Sequence, residues 1–170
     1  MTPLDRAASL IREIPDYPEP GVLFRDITPL LADGEAFHAT TEALIEPFTG
    51  TFDVVAGIEA RGFILAGAAA IAAGVGFVPI RKAGKLPAPA ASVDYKLEYG
   101  TATVEMHNDL APGTRVLLID DVLATGGTLA AGRALVERLG YAVAGVSVLF
   151  EIDGLGGRDA IGELHTVFHS

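Results

Sequence analysis

The sequence predicts an α/β fold, a central and mostly parallel sheet flanked by helices, and three observations carry that expectation. Short runs of branched apolar residues alternate with small-residue segments at helical spacing. The run Val116-Leu117-Leu118-Ile119 has no polar interruption, as expected of a strand buried on both faces. Acids and bases gather just beyond the carboxyl ends of these runs, where parallel sheets collect their ligands.

Taken in order, Leu4, Ala7, Ala8, Leu10 and Ile11 recur at helical spacing, and Pro15 closes them. A second helix fits Phe37, Thr41, Leu44, Ile45 and Phe48. Asp53 to Ile58 reads as strand, Gly62 to Ala73 as helix and Val75 to Ile80 as strand. The uncharged stretch Gly62 to Ile80 is nearly long enough for a bilayer, but it is mostly Ala and Gly, contains Pro79 and breaks at Gly74-Val75-Gly76. A buried helix followed by a buried strand explains it better.

Between Pro87 and Asp109 lies a long excursion. There Thr101, Thr103, Glu105 and His107 alternate with Ala102, Val104 and Met106, the pattern of a two-stranded ribbon with little core of its own. Such excursions are commonly lids, and Glu98-Tyr99-Gly100 is the expected tip. Arg115 to Ile119 then reads as strand, Gly127 to Leu139 as helix and Ala142 to Phe150 as strand, with right-handed crossovers. No linker, composition shift or repeat divides the chain, so residues 1–170 are expected to form a single domain.

Composition narrows the function. Half of the 170 residues are hydrophobic and 20% are charged, a globular balance with enough chain for a proper core. A net charge of −10 argues against binding nucleic acid or an anionic membrane, and obliges any anionic substrate to find a local basic cluster. Without cysteine there is neither disulfide nor thiol catalysis, and a cytoplasmic location is expected. The opening residues show no signal-peptide pattern. His38, His107, His165 and His169 do not cluster at metal-ligand spacing, and none is assigned to metal or catalysis.

The chemistry concentrates after Ile119. Asp120 and Asp121 lead into Ala124-Thr125-Gly126-Gly127-Thr128, whose small residues let backbone N–H groups and two hydroxyls converge on an anion at a helix start. This is a phosphate cradle beside two carboxylates. The carboxylates would repel a bare phosphate but suit sugar hydroxyls, so a ribose 5-phosphate fits both halves. No Lys follows the glycines, which excludes a P-loop, and GxGxxG spacing is absent. Arg61, Arg81, Lys82 and Lys85 make up a third of the 12 basic residues and sit at two other strand ends. A second anion site follows, and with it a substrate phosphorylated at both ends.

The segment Val116 to Thr128 resembles the phosphoribosyl diphosphate (PRPP) motif of the type I phosphoribosyltransferases. Ile14 to Pro29 is similar to the amino-terminal hood of that family's adenine-using branch, as are Gly57 to Phe63, Arg81 to Pro87 and Tyr95 to Gly100. The resemblance implies the type I phosphoribosyltransferase fold, with about residues 1–34 as a small base-binding hood and about residues 87–109 as a flexible β-ribbon loop. It implies the reaction adenine + PRPP ⇌ AMP + diphosphate, with Mg²⁺ held mainly by PRPP oxygens and water, in a homodimer.

The same resemblance assigns residues. Ala124, Thr125, Gly126, Gly127 and Thr128 would hold the 5-phosphate, with Asp120 and Asp121 facing the ribose. Glu59, Ala60, Arg61, Arg81, Lys82 and Lys85 would hold diphosphate, some of them across the dimer. Adenine would lie against Phe24, read by the backbone of Val22, Leu23, Phe24 and Arg25, with Leu155 on its other face; Glu98 and Tyr99 would close over the reacting centre. Some family members have Asp-Ser where this chain has Glu59-Ala60, which should preserve the turn through backbone N–H groups, and a third basic residue at Ala83, whose loss implies modestly weaker PRPP binding. The alternatives are another purine base, xanthine or hypoxanthine, and a non-catalytic regulator that senses PRPP or AMP.

Overall fold

The computed structural model describes residues 1–97 and 100–169, so Glu98, Tyr99 and Ser170 lie outside the described residues. The chain forms two compact units, Met1–Ala43 and Leu44–Ser170.

The first unit begins with α1 (Pro3–Ser9), whose start is fixed by a capping box. The Thr2 hydroxyl accepts from the Asp5 amide at 3.1 Å, and the Asp5 carboxylate accepts from the Thr2 amide at 2.7 Å. The helix is capped at Leu10, one residue before the apolar spacing runs out. The chain then forms a hairpin that the periodicity did not reveal, β1 (Arg12–Pro15) and β2 (Leu23–Asp26). Four-residue strands are too short to show a period. The pair carries two successive cross-strand charge pairs, Arg12–Asp26 at 3.5 Å and Arg25–Glu13 at 3.3 Å, next to Ile14 opposite Phe24. Two helices follow, α2 (Thr28–Ala32) and α3 (Gly34–Ile45), and a short 3-10 turn covers Glu46–Phe48.

The second unit is built on a seven-stranded sheet. β3 (Val54–Ile58), β4 (Gly76–Lys82), β7 (Arg115–Leu123), β8 (Ala142–Glu151) and β9 (His165–His169) run parallel in the order β4-β3-β7-β8-β9. The ribbon, β5 (Ala91–Lys96) and β6 (Thr101–Met106), continues this sheet by pairing antiparallel to β4 at Arg81↔Glu105 and Lys82↔Val104. Its inner face joins the main core, because Val104 and Met106 are buried there and Val93 and Tyr95 pack against the same cluster.

Helices cover both faces. α4 (Arg61–Ala73) packs on β3 and β7, with Ala66 against Gly57. On the other face, α5 (Gly127–Arg138) sets Leu129 and Leu135 among Val54, Ala56, Ile58 and Leu118. The short α6 (Gly157–Ile161) follows β8. β7 runs four residues beyond the expected strand, to Leu123, because β8 continues beside it and supplies the ladder through Asp120↔Val148, Val122↔Phe150 and Leu123↔Glu151.

Candidate active site

Strand order reverses between β3 and β7, from which neighbouring strands are added in opposite directions, and such a switch point opens a crevice at the carboxyl ends. The acids of β7 and the residues after β3 flank that crevice. β7 ends at Leu123, and Gly126 takes φ +87° to start α5, a conformation that favours glycine. The first-turn amides of Gly127 and Thr128 lack intrahelical partners by position, so this turn offers N–H donors to an anion. A cavity of about 130 Å³ lies here, lined by Asp120, Val122 and residues 123–129.

The cradle is braced from behind by α6. A Cβ on Gly157 would stand 2.5 Å from the Ala124 carbonyl oxygen, and one on Gly126 would stand 2.6 Å from the Gly157 carbonyl oxygen. The Ile152 amide donates to Leu123 O at 3.0 Å, and Arg158 forks onto Glu151 at 2.8 and 2.7 Å, which fixes the loop between β8 and α6. On the ribbon side, a Cβ on Gly127 would stand 3.6 Å from the Lys96 carbonyl oxygen and from the Tyr95 ring.

Asp120 and Asp121 lie within β7 and are each 8% exposed. The Asp121 amide donates to Asp120 Oδ1 at 2.8 Å, and Asp121 Oδ2 pairs with Arg61 Nε at 2.7 Å. Burial, and next the neighbouring Asp121 carboxylate, push the Asp120 carboxyl well above the usual aspartate range, against a smaller pull from Arg61. Gly62 permits this approach: a Cβ there would sit 2.7 Å from Asp120 Oδ1.

The second cluster gathers around Glu59, whose peptide bond to Ala60 is cis. Its carboxylate accepts from Lys85 Nζ at 2.7 Å, Arg81 Nε at 3.1 Å and the Lys82 amide at 3.3 Å. Burial alone would raise its pKa, but the bonds from Lys85, Arg81 and the Lys82 amide together hold it below the ordinary glutamate value. The Arg81 guanidinium also lies over the Phe63 ring, 5.9 Å from its centroid.

The second unit thus brings together Asp120, Asp121, Arg61 and the 124–128 cradle, and it joins Glu59, Arg81, Lys82 and Lys85 in one cluster, with Ala60 between the two groups in sequence. Leu155 is half exposed on the loop before α6. Val22, Leu23, Phe24 and Arg25 belong to the first unit, where Phe24 meets the Tyr17 ring edge-on at 5.2 Å. The expected lid tip, Glu98 and Tyr99, lies outside the described residues. Sequence reasoning missed the brace at Gly157 and the Glu151–Arg158 pair. The run Gly154-Leu155-Gly156-Gly157 was the signal available, since glycines so dense after a strand mark close backbone approach.

A family model described as "Phosphoribosyl transferase domain" matches residues 34–164. The chain is 58% identical over 154 residues to an adenine phosphoribosyltransferase of Arthrobacter sp. (strain FB24), covering 90% of this chain and 83% of that one. Among solved structures, the adenine phosphoribosyltransferase of Rhodothermus marinus superposes with a TM-score of 0.93 at 48% identity, covering 99% of this chain and 98% of that one. The Giardia lamblia APRTase complexed with 9-deazaadenine gives a TM-score of 0.92 at 39% identity, covering 100% and 98%.

Proposed function

The chain belongs to the phosphoribosyl transferase family, and we propose that it transfers the 5-phosphoribosyl group of PRPP to adenine, giving AMP and diphosphate in purine salvage. One observation carries the reading: a phosphate cradle and a basic cluster flank the same switch point, with two buried carboxylates beside the cradle. A sugar phosphorylated at both ends matches that order of charges. Relatives named for this activity at high identity across most of the chain supply the base.

In this reading the amides and hydroxyls of residues 124–128 hold the 5-phosphate, and Asp120 and Asp121 face the ribose. Arg61, Arg81, Lys82 and Lys85, with the Glu59-Ala60 turn, take the diphosphate. Diphosphate leaves the anomeric carbon, positive charge builds on the sugar ring, and an adenine nitrogen bonds to the opposite face. Preorganised charges at both ends stabilise that separation without reorganising. Phe24 and the Val22 to Arg25 backbone recognise adenine, Leu155 covers it, and Glu98 and Tyr99 close over the reacting centre. The whole chain then acts as one catalytic domain, with about residues 1–34 as the hood and the 87–109 ribbon as the lid.

The reading includes Mg²⁺. Buried carboxylate oxygens beside a phosphate cradle are hard donors, which fits an ion that arrives on PRPP oxygens and keeps water in its shell. The ion would be held mainly by PRPP oxygens and water, and Asp120 and Asp121 would meet it only through that water. When bound, it would neutralise charge on the departing diphosphate as a Lewis acid.

We propose a cytoplasmic location. Separately, among the described residues no helix is long and apolar enough to cross a membrane. The protein works as a homodimer, supported by Ile64 and Ile71 standing exposed about two turns apart on one face of α4, with Phe77 exposed nearby in sequence. Ile71→Glu is expected to turn the dimer into monomer in light scattering, and an unchanged mass would remove α4 from the interface.

A panel of bases assayed with PRPP tests the reaction. Adenine is expected to be consumed and hypoxanthine and xanthine left; turnover of hypoxanthine without adenine would overturn the choice of base. Glu98→Gln is expected to lower kcat by about 10²–10³ with little change in PRPP affinity.

A further inference from the structure

Glu59 differs from the other acids at the strand ends in what it touches. Its carboxylate faces the basic cluster rather than the cradle, and both of its oxygens are used there. Oε1 takes the Lys85 ammonium, and Oε2 takes the Arg81 guanidinium and the Lys82 amide. The exposures are ordered: 7% for the Glu59 side chain, 35% for Arg81 and 55% for Lys85. The carboxylate is therefore the inner layer and the two cations the outer one. The turn is tied further by Arg81 Nη1 to Lys85 O at 3.5 Å.

We infer that the Glu59 side chain has a positioning role: its carboxylate does not bind diphosphate but holds Arg81 and Lys85 converged on the place where diphosphate binds. The inference rests on the diphosphate site proposed above. Arg81 and Lys85 are long side chains four residues apart across a turn, and each would otherwise lose rotamer freedom when the ligand arrives. Glu59 fixes them beforehand, and the Phe63 ring under Arg81 removes a further degree of freedom. A bound anion then meets donors already in place, which is how preorganisation raises affinity.

The opposing effect is repulsion between Glu59 and diphosphate. Each Glu59 oxygen is already engaged by a cation, so the field the ligand meets is that of ion pairs with their positive ends outward. Solvent at the half-exposed Lys85 screens what remains. Order outweighs repulsion, and neutralising Glu59 should weaken binding rather than tighten it.

Inorganic pyrophosphate binding by titration calorimetry on the full chain, with KM and kcat measured in parallel, tests this. Glu59→Gln is expected to raise the pyrophosphate Kd and the KM for PRPP about tenfold while the KM for adenine stays unchanged, and Glu59→Asp to fall between Gln and wild type. In a Lys85→Met background the Glu59 substitution should have a smaller effect, because part of what it held is gone. If Glu59→Gln does not fold, the same cycle is run with Glu59→Asp, and strict additivity with Lys85→Met overturns the inference. Equal or tighter pyrophosphate binding by folded Glu59→Gln overturns it while leaving the proposed reaction standing. A wild-type protein that binds no pyrophosphate overturns both.

Discussion

Asp120 and Asp121 are adjacent acids on one buried strand, and the protein treats them differently. Asp121 has the Arg61 guanidinium at 2.7 Å, whereas burial and the Asp121 charge raise the Asp120 pKa well above its ordinary value. An acid whose pKa is raised by folding binds its proton more tightly when folded. Its favourable contribution is complete below the ordinary aspartate value and fades as pH rises through the folded one. At neutral pH Asp120 therefore stands as a cost to the fold that the site retains. Asp120→Asn keeps an oxygen for the Asp121 amide and removes the buried charge. It is expected to raise Tm at pH 7.5, with the gain disappearing near pH 4, while lowering turnover by about 10²-fold. A lower Tm at pH 7.5 in a folded variant would refute this account. Such opposition between stability and activity is common where a site stores unfavourable charge.

At the scale of elements, the cradle depends on the contact between α6 and the end of β7. A methyl at Gly157 would meet Ala124 O at 2.5 Å and Leu123 Cγ at 2.7 Å, and the first of these is backbone, which cannot yield cheaply. Gly157→Ala is expected to destabilise by about 1–3 kcal/mol and to raise the KM for PRPP. Gly34→Ala, with nothing within 4 Å of the new Cβ and no positive φ, should stay within about 0.5 kcal/mol and serves as the control. Chemical denaturation and steady-state kinetics on both variants decide it; an unperturbed Gly157→Ala would remove α6 as the brace. The contrast also shows what the sequence made legible. The parallel strands and α4 and α5 were readable because apolar period and burial on both faces leave local marks. The cradle was readable because few backbones need Thr125-Gly126-Gly127-Thr128 after two acids. The hairpin of β1 and β2, α2, α6 and the brace at Gly157 were not readable, since they rest on short segments and on partners distant in sequence. The burial of Asp120 and Asp121 was hidden for the same reason: it follows from β8 extending to Glu151 alongside β7.

For the molecule as a whole, the same reasoning sets the acid limit of stability. With 22 acids against 12 bases, several carboxylates are held as ions by a basic partner. The Arg6 guanidinium lowers Asp33 in the first unit. In the second unit Arg158 lowers Glu151, and the Arg115 side chain and amide lower Asp53 from 3.8 to about 2. For each, the folded pKa is below the unfolded one, so the contribution is complete above the unfolded value and is lost as pH falls through the folded value. Asp120 works in the opposite sense, but it is one group against several. Stability measured by the urea midpoint is therefore expected to hold from neutral pH down to about 5 and to fall steeply between about 4 and 2. Asp53 isolates the effect. Its carboxylate joins the start of β3 to Arg115 at the start of β7 through bonds of 2.7, 2.9 and 3.1 Å. Both side chains are nearly half exposed, so solvent screens the pair, and Asp53→Asn at pH 7 is expected to lower the urea midpoint only slightly. The difference from wild type should shrink below pH 4 and vanish near pH 2, where the wild-type carboxylate also takes its proton. A gap that persists unchanged at pH 2 would mean that the residue acts through its shape and amide contacts, and that charge at the base of the sheet contributes nothing.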